Sequence, residues 1–434
     1  MHGESLRTPS AGACGCVEDV LAVVRAARAE AVREGRPWVI VKSVRTEALR
    51  ERRWPTLGEL HEACHDVPAM LLSFDHHACL ANEAAMRRAG VWDGPSETRR
   101  EIAGGVIGRD SAGAATGVLL ERACMMVRES VPLPSERELR GQLRASLCAL
   151  AKLGFAHVHD LLTPDWMGPL LAKMHDAGEL DVPGPDGQSV PMCVGLFALV
   201  PDVARQHEAA TGAGGWQRAG RVELLGGKVF VDGTLNARTA WMLEAFAQPL
   251  PNHPRGTPLM SVEQIAQGIE QCVGRGLMLA AHAIGDGAVR AVLDGVERVG
   301  AAAAGKVRVE HLEVVHERDV PRFAKLGAIA SVQPCHLLYD IEVLERQLPH
   351  TLGGGPSRVL PLRDLLRSGL TPGSTLLFGS DVPIVRPEPE DSIVAAVQRG
   401  RPEGSSVHGP KSGRLLAEQA LTEEEAWACF RSDG

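Results

Sequence analysis

Aromatic side chains are scarce in this sequence: 8 Phe, 7 Trp and 1 Tyr make up 4% of 434 residues. A pocket built from it has few groups to stack on a ligand. Lysine is also scarce, with seven residues, and arginine carries most of the positive charge. A lysine inside an apolar run is therefore informative. No apolar stretch approaches the ~20 residues of a membrane-spanning helix. The 54 acidic residues outnumber the 46 basic ones, for a net charge of -8. No basic run of nucleic-acid-binding type occurs, which argues against nucleic acid or membrane as partner. No Walker A sequence is present, and no GxGxxG opens a helix after a strand, which disfavours a nucleotide-binding sheet. No dense Arg/Lys cluster points to a phosphorylated ligand. The ten cysteines are scattered without a CxxC, and only Cys14 and Cys16 are close. That spacing suits reduced core thiols better than a disulfide framework. The opening Met1-His2-Gly3-Glu4 lacks a charged segment followed by an apolar one, so the expectation is a cytoplasmic protein without a signal peptide.

The composition, 44% hydrophobic and 23% charged, is that of a folded globular protein. The length allows two or three domains, or one α/β barrel with insertions. Residues 17–34 place apolar side chains at helical spacing and stop at Gly35 and Pro37. Residues 38–42 and 69–74 read as short strands, 95–117 as Gly-rich turns and hairpins, and 133–152 as a second amphipathic helix. From residue 154 the texture changes. Short apolar runs at 155–160, 192–199, 222–231, 277–282, 307–311, 328–333 and 376–381 alternate with helical patterns such as 261–275, 286–299 and 317–326. Such alternation predicts a parallel α/β sheet buried on both faces. Residues 154–400 approach the ~250 of a (β/α)8 barrel. The predicted division is 1–153, a helical and inserted α+β segment, and 154–434, the main part of the barrel.

The ends of these runs carry the chemistry. In a barrel, catalytic groups sit at the C-terminal ends of strands. Here those ends hold His157, His159 and Asp160, then Lys228 and Asp232, His282, Glu310 and His311, Gln333 and His336, and Ser380 and Asp381. One strand-end histidine is explained as a hydrogen-bonded buried group. Lys228, His282, His311 and Asp381 closing successive runs are not explained that way. Imidazole and carboxylate suit a borderline divalent metal such as Zn2+. A bare buried lysine costs several kcal/mol unless neutralised or paired, and carboxylation by CO2 is one chemical solution.

Seven short stretches, in order, give the chain a family likeness. They are Ser73-Phe-Asp-His-His77 with Asn82; 113–121, GAATGVLLE; Gly227-Lys-Val-Phe-Val-Asp-Gly233 with Arg238-Thr-Ala240; His282-Ala-Ile-Gly-Asp286; Val309-Glu-His311; Ser331-Val-Gln-Pro-Cys-His336; and Gly379-Ser-Asp-Val-Pro383. Over nearly its whole length the chain resembles the amidohydrolase superfamily, in the subgroup related to N-substituted formamide deformylase. The resemblance implies a TIM-like (β/α)8 barrel and one or two divalent metals, with Zn2+ expected. It implies Lys228 as a carboxylated lysine, His282 and His311 as metal ligands, and Asp381 as both a ligand and the catalytic base. His336, His76 or His77, Asp232 and Arg238 look like pocket residues that bind or shape a small-molecule substrate. Glu310 looks like a residue that orients a ligand. His157-Val-His159 is the one His-x-His of the chain, and it falls on the second barrel strand, so His159 is expected to line the substrate pocket.

The likeness is incomplete at both ends. The family's first strand ends in a His-x-His pair; here His2 stands where its second histidine would close, and is the expected further metal ligand. The family's flanking β-sandwich is expected to have no counterpart in the chain as written. The chain as written is thus expected to supply the second to eighth strands, leaving an open gap between 155–160 and 376–381. The implied activity is hydrolysis of C–N bonds in amides, formamides or cyclic amides. The alternatives are a metal-dependent ester or lactone hydrolase, or a truncated, catalytically impaired binding module. A homo-oligomer remains open.

Overall fold

The computed structural model describes residues 2–92, 101–349, 358–403 and 412–431. They fall into two units, Met1–Ser135 with Pro383–Val385, and Glu136–Val382 with Arg386–Gly434. The helix at residues 136–152 thus belongs to the second unit. Among the described residues, no helix is long and apolar enough to cross a membrane.

The first unit is a mixed five-stranded sheet built from β1 (Val39–Val44), β2 (Ala69–Ser73), β3 (Ala78–Ala81), β4 (Gly105–Arg109) and β5 (Ala115–Glu121), in the order β1-β2-β3-β5-β4. The β1–β2 pair is parallel and the other pairs are antiparallel. The helix Val17–Glu34 buries Val17, Val20, Leu21, Val24, Ala27 and Ala31, one stripe at the 3.6-residue period. Its end is set by Gly35 at φ 66°, whose N–H bonds back into the last turn, the left-handed cap that glycine adopts most easily. Part of the polar 95–117 stretch forms the β4–β5 hairpin; 95–100 lie outside the described residues. The Asp110 carboxylate accepts from the N–H groups of Ala112 and Ala114 and closes that turn, the local bonding for which Asp is favoured in turns.

The second unit holds β6 (His157–Asp160), a small hairpin of β7 (Asp181–Pro183) and β8 (Ser189–Pro191), and then β9 (Cys193–Leu199), β10 (Val222–Phe230), β11 (Met278–Ala283), β12 (Val307–His311), β13 (Ile329–Val332) and β14 (Leu376–Phe378). All seven apolar runs of the second half are strands. They form one parallel sheet in chain order, β6-β9-β10-β11-β12-β13-β14. Connecting helices pack on one face: a Cβ on Gly227 would meet Cys272, Val200 and Val203. Side chains alternate along a strand, so Lys228 lies on the opposite, inner face.

The sheet is curled. In a flat sheet β6 and β12 would lie about 19 Å apart, four spacings of ~4.8 Å. Yet Arg308 on β12 donates from Nη1 to Nδ1 of His159 on β6 at 2.8 Å, a distance only a strongly curved sheet permits. The expected open edge at β14 is partly filled by the chain's own C-terminal segment. The Phe378 N–H donates to the Cys429 carbonyl at 2.9 Å. The Phe430 ring packs against both Phe378 (5.7 Å) and Phe155 (6.2 Å), which flank the two ends of the sheet. Replacing Phe430 with Ala is expected to destabilise the second unit by about 2 kcal/mol, less than the ~3–5 kcal/mol of a fully buried phenylalanine because the ring is half-buried. Urea unfolding of the variant checks this.

Candidate metal centre

Lys228 sits near the end of β10, 4% exposed, with Nζ 5.0 Å from the centre of the Phe230 ring. Burial holds its ammonium below the usual lysine range; Glu310 and Asp381 oppose that, and Arg308 adds to it. His282 near the end of β11 is also buried. Its Nε2 lies 3.2 Å from the Gly233 carbonyl and 3.6 Å from Asp232. A carbonyl only accepts, so this contact places the proton on Nε2.

His311, the last residue of β12, meets His282 edge-on at 4.5 Å between ring centres. His336 follows β13 in the turn Pro334–His336 and stacks on His311 at 5.8 Å. Its Nε2 is 3.6 Å from the Asp381 carboxylate beyond β14. One ligand atom each from His311, His336 and Asp381 lie within 4.8 Å of one another. Four side chains from the ends of four successive strands thus run in contact, His282 to His311 to His336 to Asp381. Backbone φ is 79° at His311, 49° at Leu312 and 54° at Asp381, conformations that cost a non-glycine residue about 1–3 kcal/mol and cluster at functional sites.

This arrangement fits a divalent cation. Two imidazoles and a carboxylate are the donor set of borderline metals. Nε2 of His336 is buried and makes no hydrogen bond, whereas buried polar atoms are ordinarily bonded. The other ring nitrogen, Nδ1, donates to Glu313 at 3.0 Å. Burial pulls the His336 pKa down, but the bond to Glu313 and the charges of Glu313 and Asp381 outweigh it and raise the pKa to about 9.

A profile of the amidohydrolase family matches residues 2–434. The chain belongs to the amidohydrolase family. It is 30% identical over 377 residues to Protein LONG AFTER FAR-RED 3 of Arabidopsis thaliana, covering 85% of this chain and 61% of that protein. It is 25% identical over 365 residues to the putative amidohydrolase YtcJ of Bacillus subtilis (strain 168), covering 83% and 64%. The chain therefore spans a little over three-fifths of these curated relatives. Its fold is similar to that of a solved, uncharacterized metal-dependent hydrolase from Pyrococcus horikoshii OT3, with TM-score 0.70, 22% identity, and coverage of 99% of this chain and 77% of that one.

Around the centre of this amidohydrolase chain, the other expected residues have distinct settings. Asp232 is completely buried. Its two oxygens accept from the N–H groups of Trp241 (2.8 Å), Ile284 (3.0 Å) and Gly285 (2.9 Å). It braces the segments after β10 and β11 around His282. Gly285 is required there, because a Cβ would fall 2.2 Å from the Trp241 carbonyl oxygen. Arg238 is half-buried at φ 58° and donates to the Gln248 carbonyl. His159 accepts from Arg308, whose guanidinium also donates to Ser331 (3.1 Å), lies 3.0 Å from Glu310 and rests 5.4 Å over the Phe197 ring. Sequence reading missed Arg308 and Glu313. The signals were an arginine alternating with valines in the strand Val307–His311, and a carboxylate two residues beyond an expected ligand.

His2 and His77 belong to the first unit. His2 was expected at a strand end; it begins the helical turn His2–Ser5, closed by Leu6 N–H to the His2 carbonyl. Short-range backbone bonding replaces a strand there. Its ring nitrogens are buried and make no hydrogen bond. Burial, with positive charge nearby including Lys42, lowers its pKa to about 4. His77 pairs with the buried Glu121 at 2.8 Å. Burial works against the charged ring, but Glu121 prevails and lifts its pKa to about 9. The neighbouring His76, at φ 63°, accepts at Nδ1 from Arg128 Nη1 at 3.2 Å. Burial first, then Arg128, lowers its pKa to about 3.

Two outcomes are expected. Asp232→Ala strands two buried N–H groups, of Ile284 and Gly285, and the half-buried one of Trp241; at ~1–3 kcal/mol for each buried group a loss of at least about 2 kcal/mol is expected in urea unfolding, and Asp232→Asn, which keeps one accepting oxygen, is expected to lose less. The raised pKa of His77 means its pairing stabilises the fold fully below pH ~6.5, the unfolded value, and that this stability is lost as pH rises through about 9. The denaturant midpoint is expected to fall between those pH values, and His77→Gln to flatten the fall; equal slopes in both proteins would remove the pair as its cause.

Proposed function

We propose that the chain is a metal-dependent hydrolase acting on C–N bonds other than peptide bonds, in small amides, formamides or cyclic amides. The observation that carries this reading is the contiguous set His282, His311, His336 and Asp381 at the ends of β11 to β14, with Lys228 buried on the inner face of β10. Family membership and the description of the Bacillus subtilis relative as a putative amidohydrolase support the bond class. The likeness to N-substituted formamide deformylase at the quoted motifs favours formamide-type substrates within it.

A divalent metal, with Zn2+ the proposed ion, would supply polarisation of the scissile carbonyl and a lowered pKa for the attacking water. The chain's own groups do the rest. Asp381 is 30% exposed on its side chain, the most open of the four, and is placed to take the proton from water and return it to the leaving nitrogen. An amine leaves poorly unless protonated, so one carboxylate serves both transfers. Glu310 and Asp381 flank the Lys228 ammonium in charge, while burial favours its neutral form, the form that reacts with CO2 to give a carbamate. His159 and Arg238 are the proposed substrate contacts. The few aromatic residues fit a substrate held by polar groups more than by stacking.

The test is metal analysis of the purified chain with a panel of matched amides, formamides and esters. Turnover of the C–N substrates with metal bound is expected; exclusive ester cleavage would sink the bond assignment. Asp381→Asn is expected to lower turnover by about 10²–10⁴ while losing less of the bound metal, since ligation is shared and proton transfer is not. Near-normal turnover by that variant would remove Asp381 as the base.

A further inference from the structure

We propose that Cys14 and Cys16 form a redox-active dithiol, a site of reversible thiol–disulfide exchange with low-molecular-weight disulfides of the glutathione class. The site lies wholly within the first unit and is independent of the metal-dependent reading above.

Placement separates this pair from the other cysteines. Cys64, Cys79, Cys124, Cys272, Cys335 and Cys429 are buried. Cys148 and Cys193 are half-buried but lie on separate elements, the helix Glu136–Lys152 and β9. Cys14 and Cys16 are both half-buried, with only Gly15 between them. Cys14 packs against the apolar core of the first unit. Cys16 immediately precedes the helix Val17–Glu34, with extended backbone (φ -150°, ψ 168°) and no side-chain bond to the helix. Its sulfur is therefore not used as a cap. Two carboxylates serve the backbone there instead: Glu51 accepts from the Val17 N–H at 3.0 Å, and Asp19 accepts from the Gly15 N–H at 3.0 Å.

Chain geometry keeps the two sulfurs within reach. Residues two apart have Cα atoms at most about 7 Å from one another, against the ~4.4–6.8 Å that a disulfide spans. Closure therefore needs only local movement. A Cβ on Gly15 would meet nothing but the Asp19 carboxylate, at 3.8 Å, so packing does not require a glycine there; what glycine supplies is backbone freedom. The two planar peptides flanking Gly15 leave so small a ring little room to relax, and strained or exposed disulfides are the labile ones. Burial first, then the charge of Asp19 and the nearness of Cys16, hold the Cys14 thiol above its usual range, which favours the reduced form at rest. The exchange balances in two steps. One cysteine thiolate attacks a sulfur of the small disulfide, forming a mixed disulfide and releasing a thiolate that takes up the cysteine's proton. The other cysteine thiolate attacks the mixed disulfide, closes the Cys14–Cys16 bond and releases the second thiol. The protein gives up two hydrogens with their electrons, and the small disulfide is reduced to two thiols.

The experiment uses the full chain, reduced, freed of reductant and held without oxygen in mixtures of reduced and oxidised glutathione. Samples are quenched with acid at intervals, free thiols are alkylated, and peptide masses are read. The peptide carrying Cys14 and Cys16 is expected to lose two hydrogens and escape alkylation at least about tenfold faster than any peptide carrying another cysteine reacts, because buried thiols are inert. Dithiothreitol is expected to restore both thiols. Cys14→Ser and Cys16→Ser each leave half of the pair, and each is expected to stop at a mixed glutathione disulfide on the cysteine that remains. Asp19→Asn keeps an oxygen for the Gly15 N–H but removes the charge that opposes the Cys14 thiolate, and is expected to speed closure by about two- to threefold. Two results overturn the proposal: Cys14 and Cys16 remaining open to alkylation when other cysteines have reacted, or a glutathione adduct on the unaltered chain that never passes to the internal bond.

Discussion

Asp232 is the interaction on which the geometry of the second unit turns. A carboxylate with no solvent exposure needs donors in place of water, and here three backbone N–H groups supply them. Two of them follow β11 and the third lies in the segment after β10. Strand ends in a parallel sheet are connected by loops free to wander, so the position of a strand-end side chain is only as definite as its loop. By tying both loops to one point, Asp232 fixes the backbone on either side of His282 and the first turn of the helix Asp286–Val299. Asp286 extends the tie: its oxygens accept from Leu243 and pair with Arg358.

Beneath these loops the inner face of the sheet holds charge. Arg308 and Glu310 are both buried and 3.0 Å apart. A buried ion pair roughly breaks even against apolar residues of similar size, whereas losing one partner costs about 3–5 kcal/mol. Stability alone therefore gives little reason for the pair. Its placement gives another. Arg308 reaches His159 across the curve of the sheet and Ser331 on the adjacent strand, so the curvature that gathers the strand ends is recorded in side-chain bonds. Burial lowers the Lys228 pKa against the opposing charges of Glu310 and Asp381, and Arg308 adds to the lowering.

Much of this was legible in the sequence. The seven strands of the parallel sheet were readable because a strand buried on both faces is a continuous apolar run, and six of the seven runs end in or next to a residue that apolar packing does not explain. The helix Val17–Glu34 was readable from its stripe and its terminal glycine. What sequence could not supply was partnership. Asp232 reads the same whether it meets a substrate or three N–H groups. Glu313 reads as one more acidic residue in a loop until the turn after β13 brings His336 against it. His2 reads as a strand end only on the strength of a family pattern, and local i to i+4 bonding overrode it. The gap at β14 was inferred from strand counting, which takes no account of a C-terminal segment returning to fill part of it.

The strained backbone at His311 and Asp381 links the two levels. Neither residue is glycine, yet both sit in the left-handed region, at a cost of about 1–3 kcal/mol each. A strand that continued in extended geometry would carry alternate side chains to opposite faces, and successive strand ends would present their polar groups in different directions. Turning the backbone sharply at the last residue of β12, and just beyond β14, swings both side chains toward the same point. The strain is affordable because the rest of the sheet is packed with apolar side chains that are fully buried. It is also directional: relaxing either residue to ordinary φ would carry its side chain away from His336. The cluster therefore exists because the backbone is held where it would not rest by itself, and the buried braces at Asp232 and Glu313 are what hold the neighbouring loops to that shape.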